Sequence, residues 1–105
     1  MRTIIIDNVT ENDVNSKQLR ITVKNKELFP KEIPGKPITY DLHFSIYPES
    51  ETFKASYKIG SKDGRSRSGI LKLPKNIYEE ILKIKPNSIL EISIGENKYT
   101  IKKRK

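Results

Sequence analysis

The chain has 105 residues, the length of one domain built on one core. Lys and Arg number 21 against 13 Asp and Glu, so the net charge is +8; such an excess favours polyanionic partners, although a Lys-rich solvated surface gives the same count. Without any Cys, disulfides, thiolate zinc sites and cysteine nucleophiles are excluded, and the opening MRTIIIDNV is too short an apolar run for a signal-peptide core or a membrane span, which leaves the cytoplasm as the expected compartment.

Seven short runs alternate apolar and polar residues, the period-two mark of half-buried strands. The first spans Arg2 to Val9 and is nearly continuous in β-branched residues. The second spans Lys17 to Lys24, with Leu19, Ile21 and Val23 on one face and Gln18, Arg20, Thr22 and Lys24 on the other. Residues 25–37, NKELFPKEIPGKP, hold three prolines and a glycine and cannot form a central strand. They predict an irregular crossing with Leu28, Phe29 and Ile33 tucked inward. The third run, Ile38 to Tyr47, sets Tyr40, Leu42, Phe44 and Ile46 against Thr39, Asp41, His43 and Ser45. After the turn-like Pro48-Glu49-Ser50-Glu51, the fourth, Phe53 to Ile59, sets Phe53, Ala55, Tyr57 and Ile59 against Lys54, Ser56 and Lys58. A polar, basic loop, GSKDGRSRSG, covers 60–69; the fifth run is Ile70 to Leu73. Pro74 to Leu82 changes rhythm: a proline, Glu79 and Glu80 in the first turns, and Ile77, Tyr78 and Ile81 at helical spacing predict a short helix capping one end of a barrel, with Leu73 and Ile81 in the core. Ile89 to Ile94 and Tyr99 to Lys103 complete the set. Seven short strands with one short helix predict a mostly β, seven-stranded open or closed pseudobarrel, because closure removes exposed edges; a sandwich is the alternative.

Little in the chain can do covalent chemistry. His43 is the only histidine, and without Cys or a clustered carboxylate pair it cannot build the usual transition-metal sites. It is expected on the outer face of its strand, exposed or paired across strands. Glu79 and Glu80 are adjacent on a helix and diverge, so they read as solvated residues and not as a catalytic pair. Neither G-K-[ST] nor G-x-G-x-x-G occurs. The reading is therefore not an enzyme, with no cofactor and no metal.

The loop 60–69 carries more information. Lys62, Arg65 and Arg67 interleave with Ser61, Ser66 and Ser68, and Gly60, Gly64 and Gly69 let a backbone approach a ligand. Guanidinium forks bond phosphates or the O6 and N7 edge of guanine, and serine hydroxyls donate to phosphate oxygens. A solvated hairpin tip uses the same residues.

The stretch FKASYKIG-SKDGRSRS-GILKLP-KNIYEEILK-IKPNS-ILEISI resembles the second half of the B-three DNA-binding pseudobarrel, found in plant hormone-response transcription factors and as the DNA-recognition domain of EcoRII-type restriction endonucleases. In that family two loop arms grip the major groove. The resemblance implies that Lys62, Arg65, Ser66, Arg67 and Ser68 form one arm, and that Asn15, Lys17, Gln18 and Arg20 belong to the other, near the first two strands. It covers about 42 residues, and the first half follows only by strand number and length. The family's Gly-Asp before the sixth strand is replaced by Asn87-Ser88. LKLPKNIYEEILKIKPNSILEI also resembles the swapped-hairpin regulators of the AbrB type, which close a barrel only as dimers, whereas this chain has strands enough to close its own.

The expected function is sequence-specific binding of double-stranded DNA through two arms, with Lys72 on phosphates, in the recognition domain of a restriction system or a regulator. A nuclease or motor domain, in the same chain after Lys105 or in a partner chain, fits that role, and no membrane is involved. An RNA-binding, PUA-like small barrel and a protein-interaction or antitoxin module are the alternatives; an RNA binder stacks aromatic rings on unpaired bases, and most aromatics here occupy inward positions.

Overall fold

In the computed structural model the alternating runs become seven strands: β1 (Arg2–Ile6), β2 (Gln18–Ile21), β3 (Ile38–Ile46), β4 (Thr52–Ile59), β5 (Gly69–Lys72), β6 (Leu90–Gly95) and β7 (Lys98–Lys103). The structure describes residues 2–31, 37–48, 51–59, 68–95 and 98–104. The strands form one sheet in the order β1-β6-β7-β3-β4-β5-β2. All neighbours are antiparallel except β3 and β7, which run parallel. The end strands β1 and β2 approach each other, so the sheet curls into a nearly closed barrel.

Alternation decides which residues fill it. On β3 and β4, Leu42, Phe44, Ile46, Ala55, Tyr57 and Ile59 are buried, whereas Asp41, His43, Lys54 and Lys58 are exposed. His43 stands opposite Lys54 on the outer face, as expected. A chain of stacked rings runs through the interior: Phe29 on Tyr57 (4.8 Å between centroids) and on Tyr99 (5.3 Å), Tyr99 on Phe44 (5.1 Å), and Phe44 on Phe53 (5.4 Å). Such offset pairs add to the area they bury. Leu28 and Phe29 enter from the proline-rich crossing, and the buried Tyr99 hydroxyl donates to Leu28 O (2.9 Å). Ile33 lies outside the described residues.

Four details differ from expectation. The first strand ends at Ile6 and not at Val9, and residues 11–16 form a helix, α1 (Glu11–Ser16), that the periodicity misses because Val14 is its one apolar residue. The second strand ends at Ile21: a 3-10 helix begins at Val23, which is 52% exposed and does not share the inward face of Leu19 and Ile21. The predicted helix is present as a π-helix (Ile77–Ile81), Leu82 N–H reaching Ile77 O five residues back (2.9 Å). That wider turn buries Ile77 and Tyr78, while Ile81 is only partly buried against the core; Leu73 is core as expected. Finally, Gly69 leaves room for a ring and not for a ligand: a Cβ there would stand 2.5 Å from Cε1 of Tyr57.

The Asn87-Ser88 turn keeps its geometry by side-chain means. Asn87 adopts φ 70°, which Asn tolerates, its N–H donates to Val9 O (2.9 Å), and Ser88 Oγ accepts from Lys85 N–H (2.8 Å). Among the described residues no helix is long and apolar enough to cross a membrane.

Candidate nucleic-acid interface

The second predicted arm is organised by a residue the sequence reading passed over. Thr10 caps α1: its Oγ1 accepts from Asp13 N–H (3.3 Å), and Asp13 Oδ2 accepts from Thr10 N–H (3.0 Å), a reciprocal capping box. Asp13 is 1% exposed, and a buried carboxylate needs donors around it. It finds them in Gln18 Nε2 (3.1 Å) and Arg20 Nε (3.1 Å); a second Arg20 nitrogen donates to Asn8 O (2.6 Å). Burial pushes the Asp13 pKa upward, but the hydrogen bonds from Thr10, Gln18 and Arg20 outweigh it and hold the carboxyl below the ordinary 3.8. The pattern Thr10-Glu11-Asn12-Asp13 was the available signal, since Ser or Thr followed three residues later by an acid marks a capped helix start.

Lys17 ends α1 with φ 55°; its ammonium donates to Val14 O (3.0 Å) and pairs with Glu79 (2.8 Å), and its carbonyl accepts from Leu73 N–H (3.0 Å). The hydrogen bond from Lys17 lowers the Glu79 pKa. The Tyr78 hydroxyl donates to Gln18 O (3.0 Å), and burial together with the nearby Asp13 charge raises its pKa to about 12. Lys17, Gln18 and Arg20 are thus brought together, each tied to α1 or the π-helix. Asn15 is exposed on α1.

Beside this hub, Lys72 projects from β5, opposite Gln18 of β2 and Ser56 of β4. Lys58, two residues along β4, is exposed on the same outer wall. Ser68 is exposed immediately before β5. Lys62, Arg65, Ser66 and Arg67 lie outside the described residues. Their attachment is defined nonetheless: the segment leaves β4 after the buried Ile59 and returns at the buried Gly69, next to Ile21. On the β2–β5 ladder, α1 therefore adjoins the Gln18–Lys72 end, and Gly69, where the chain re-enters the sheet after Ser68, stands at the opposite, Ile21 end.

No family model matches the chain, and no curated protein matches it. A solved structure does: the Arabidopsis FUS3-DNA complex superposes with a TM-score of 0.75, covering 99% of this chain and 98% of that one at 14% identity. The chain has the B-three pseudobarrel fold. A likeness over the whole length means that the first half, including α1 and β2, shares the arrangement of the B-three pseudobarrel as well as the second.

Proposed function

We propose that this B-three pseudobarrel binds double-stranded DNA in the major groove through two arms, as a recognition module of a restriction system or a regulator without catalysis of its own. The observation that carries the reading is the end-to-end match to a domain solved on DNA, in a chain of net charge +8. The spacing of the arms supports it. Three residue steps along the β2–β5 ladder separate their roots, about 10 Å at about 3.3 Å per residue, close to the roughly 12 Å width of the major groove.

In this reading Lys62, Arg65, Ser66, Arg67 and Ser68 enter the groove on one side, the two arginines reaching base edges. On the other side Asn15 faces the DNA, while Lys17, Gln18 and Arg20, held through Asp13 and Glu79, give that arm its shape and positive charge. Lys72, between the arms, meets phosphate. A nuclease or motor domain acting with this module is a compatible partner in a cytoplasmic restriction system.

The test is binding to random-sequence duplex, single-stranded DNA and RNA at two salt concentrations, followed by base-preference profiling of arm variants. Duplex should bind most tightly and, with about four to six phosphate contacts, lose two or more orders of magnitude of affinity between about 50 and 200 mM salt. Replacing Arg65 or Arg67 with Ala should cost about 1–3 kcal/mol and relax preference at one or two positions, whereas Lys72→Ala should weaken all sequences evenly. Salt-insensitive binding, or a double Arg65→Ala, Arg67→Ala variant as tight as the parent, would refute the reading.

A further inference from the structure

The register of the sheet places a row of hydroxyls across the wall of the barrel that carries neither arm. Thr3 of β1 faces Ser93 of β6, Ser93 faces Thr100 of β7, Thr100 faces Ser45 of β3, and Ser45 faces Thr52 of β4. Thr3 Oγ1 and Ser93 Oγ are hydrogen-bonded to each other at 2.9 Å. Side chains of one row point to one face of a sheet and adjacent strands lie about 4.8 Å apart, so these five form a continuous outward line of short polar groups.

Longer side chains border that line on both sides. On one side stands Lys98, followed in the same row by His43 and Lys54, with Gly95 opposite Lys98 adding no side chain. On the other side stand Glu91, Lys102 and Tyr47, the Lys102 ammonium lying 5.1 Å from the centre of the Tyr47 ring. A floor of small residues between two rows of large ones makes a groove, and one of about 500 Å³ lies over the Thr3, Ser93 and Thr100 part of the line, walled by Lys98 on one side and Glu91, Lys102 and Tyr47 on the other. Arg104 holds the Glu91 carboxylate at 2.9 Å, and Lys98 and Lys54 on one wall with Lys102 on the other leave the described lining with an excess of positive charge. Tyr47 is 57% exposed, while the other described aromatic rings are buried or half-buried.

We propose that this groove binds single-stranded nucleic acid, separately from the duplex interface. The hydroxyl floor and Lys98 take the sugar-phosphate chain, and Tyr47, flanked by Lys102, offers its ring to a base. A positive groove that tracks the backbone beside an aromatic platform is what sequence-tolerant recognition of single strands requires, since every base has a stacking face. A duplex hides those faces within its own stack, an acidic peptide has no planar ring to place on Tyr47, and a neutral sugar has no use for two ammonium groups. In the sheet order, β7 lies two strands from β4 and three from β5, the strands that the segment 60–68 joins, so both ligands can be held together.

The experiment uses the full chain, saturated with unlabelled duplex, and a fluorescent oligothymidylate of about 12 nucleotides, within the span one small barrel covers. Thymidine monophosphate serves as competitor, to separate a strand site from a free-nucleotide site. The oligothymidylate should bind the duplex-saturated chain, thymidine monophosphate should compete only weakly, and Tyr47→Ala should weaken binding about fivefold or more. The double variant Lys98→Glu, Lys102→Glu should weaken it by an order of magnitude or more, and neither change should alter duplex affinity beyond about twofold. All three side chains are exposed, so the variants should melt with the parent. Displacement of the strand by duplex, an unchanged Tyr47→Ala, or thymidine monophosphate binding as tightly as the strand would each overturn the proposal. Tyr47-dependent strand binding by a chain that ignores duplex would support this groove and refute the duplex reading.

Discussion

Asp13→Ala removes the acceptor that ties Gln18 and Arg20 to α1, and the structure sets the size of the effect. The carboxylate is 1% exposed and accepts from Thr10 N–H, Gln18 Nε2 and Arg20 Nε. Two neutral donors left without a partner cost about 1 kcal/mol each, and a charged one about 1.5–3 kcal/mol. The Arg20 side chain is 38% exposed, so water replaces part of what it loses and its share falls to about 1 kcal/mol. The total is about 3 kcal/mol, or roughly 12–15 °C in the melting temperature of a domain this size. Asp13→Asn, which keeps the shape and loses the charge, isolates the electrostatic part. The folded carboxyl titrates below 3.8, so its charged form contributes stability that is complete above that value and is lost as pH falls through the lower folded pKa. The gap in melting temperature between the parent and Asp13→Asn should therefore be constant above pH 3.8 and narrow below it. Thermal melts followed by circular dichroism across that range measure both. An Asp13→Ala chain melting within about 2 °C of the parent would refute the accounting, because no combination of these bonds sums to so little.

Two further substitutions test the scaffold. Leu73 is 3% exposed and donates its N–H to Lys17 O, so Leu73→Ala should cost about 2–4 kcal/mol in denaturant titration, and an unchanged midpoint would show that this part of the core collapses freely. Gly69→Ala places a methyl 2.5–2.8 Å from the ring and hydroxyl of the fully buried Tyr57; the overpacking should cost about 1–3 kcal/mol and is read from the same titration.

The strands were legible because period-two alternation is a property of side chains alone, and Leu42 to Ile46 and Ala55 to Ile59 face inward as their spacing required. The failures occur where the backbone changes while the alternation continues. Val23 follows Leu19 and Ile21 in phase, but the chain has already turned into a 3-10 helix. Helix α1 was invisible to periodicity, with six residues and Val14 alone to mark a face; only its capping box announced it. Gly69 shows a third kind of limit, for a glycine in a basic loop invites a ligand, and the ring that needs its space is twelve residues earlier in the chain. The hydroxyl row belongs to the same class. Thr3, Ser93, Thr100, Ser45 and Thr52 are scattered through the sequence, and only the strand register aligns them.

The position of the proposed arms follows from the one place where the sheet fails to close. β1 and β2 are the end strands of the sheet and do not pair with each other. A strand edge presents unpaired N–H and C=O groups that invite another chain, and proteins cover such edges. Here side chains do that work: Arg20 donates to Asn8 O just beyond β1 (2.6 Å), Asn25 Nδ2 reaches Ile5 O (3.5 Å), and α1, which follows β1 in the chain, packs beside β2. A ladder of backbone bonds fixes strands without regard to side-chain identity, whereas this seam depends by name on Arg20, itself held by Asp13, and on Asn25. Arg20 and Asp13, which hold the seam, also shape the proposed N-terminal arm, so mending the edge and presenting positive charge beside the β2–β5 ladder would both follow from one set of contacts. A hydrophobic closure of the same gap would stabilise the barrel and leave the arm without its frame, which gives a physical reason for a buried carboxylate at a position where an apolar residue would cost less.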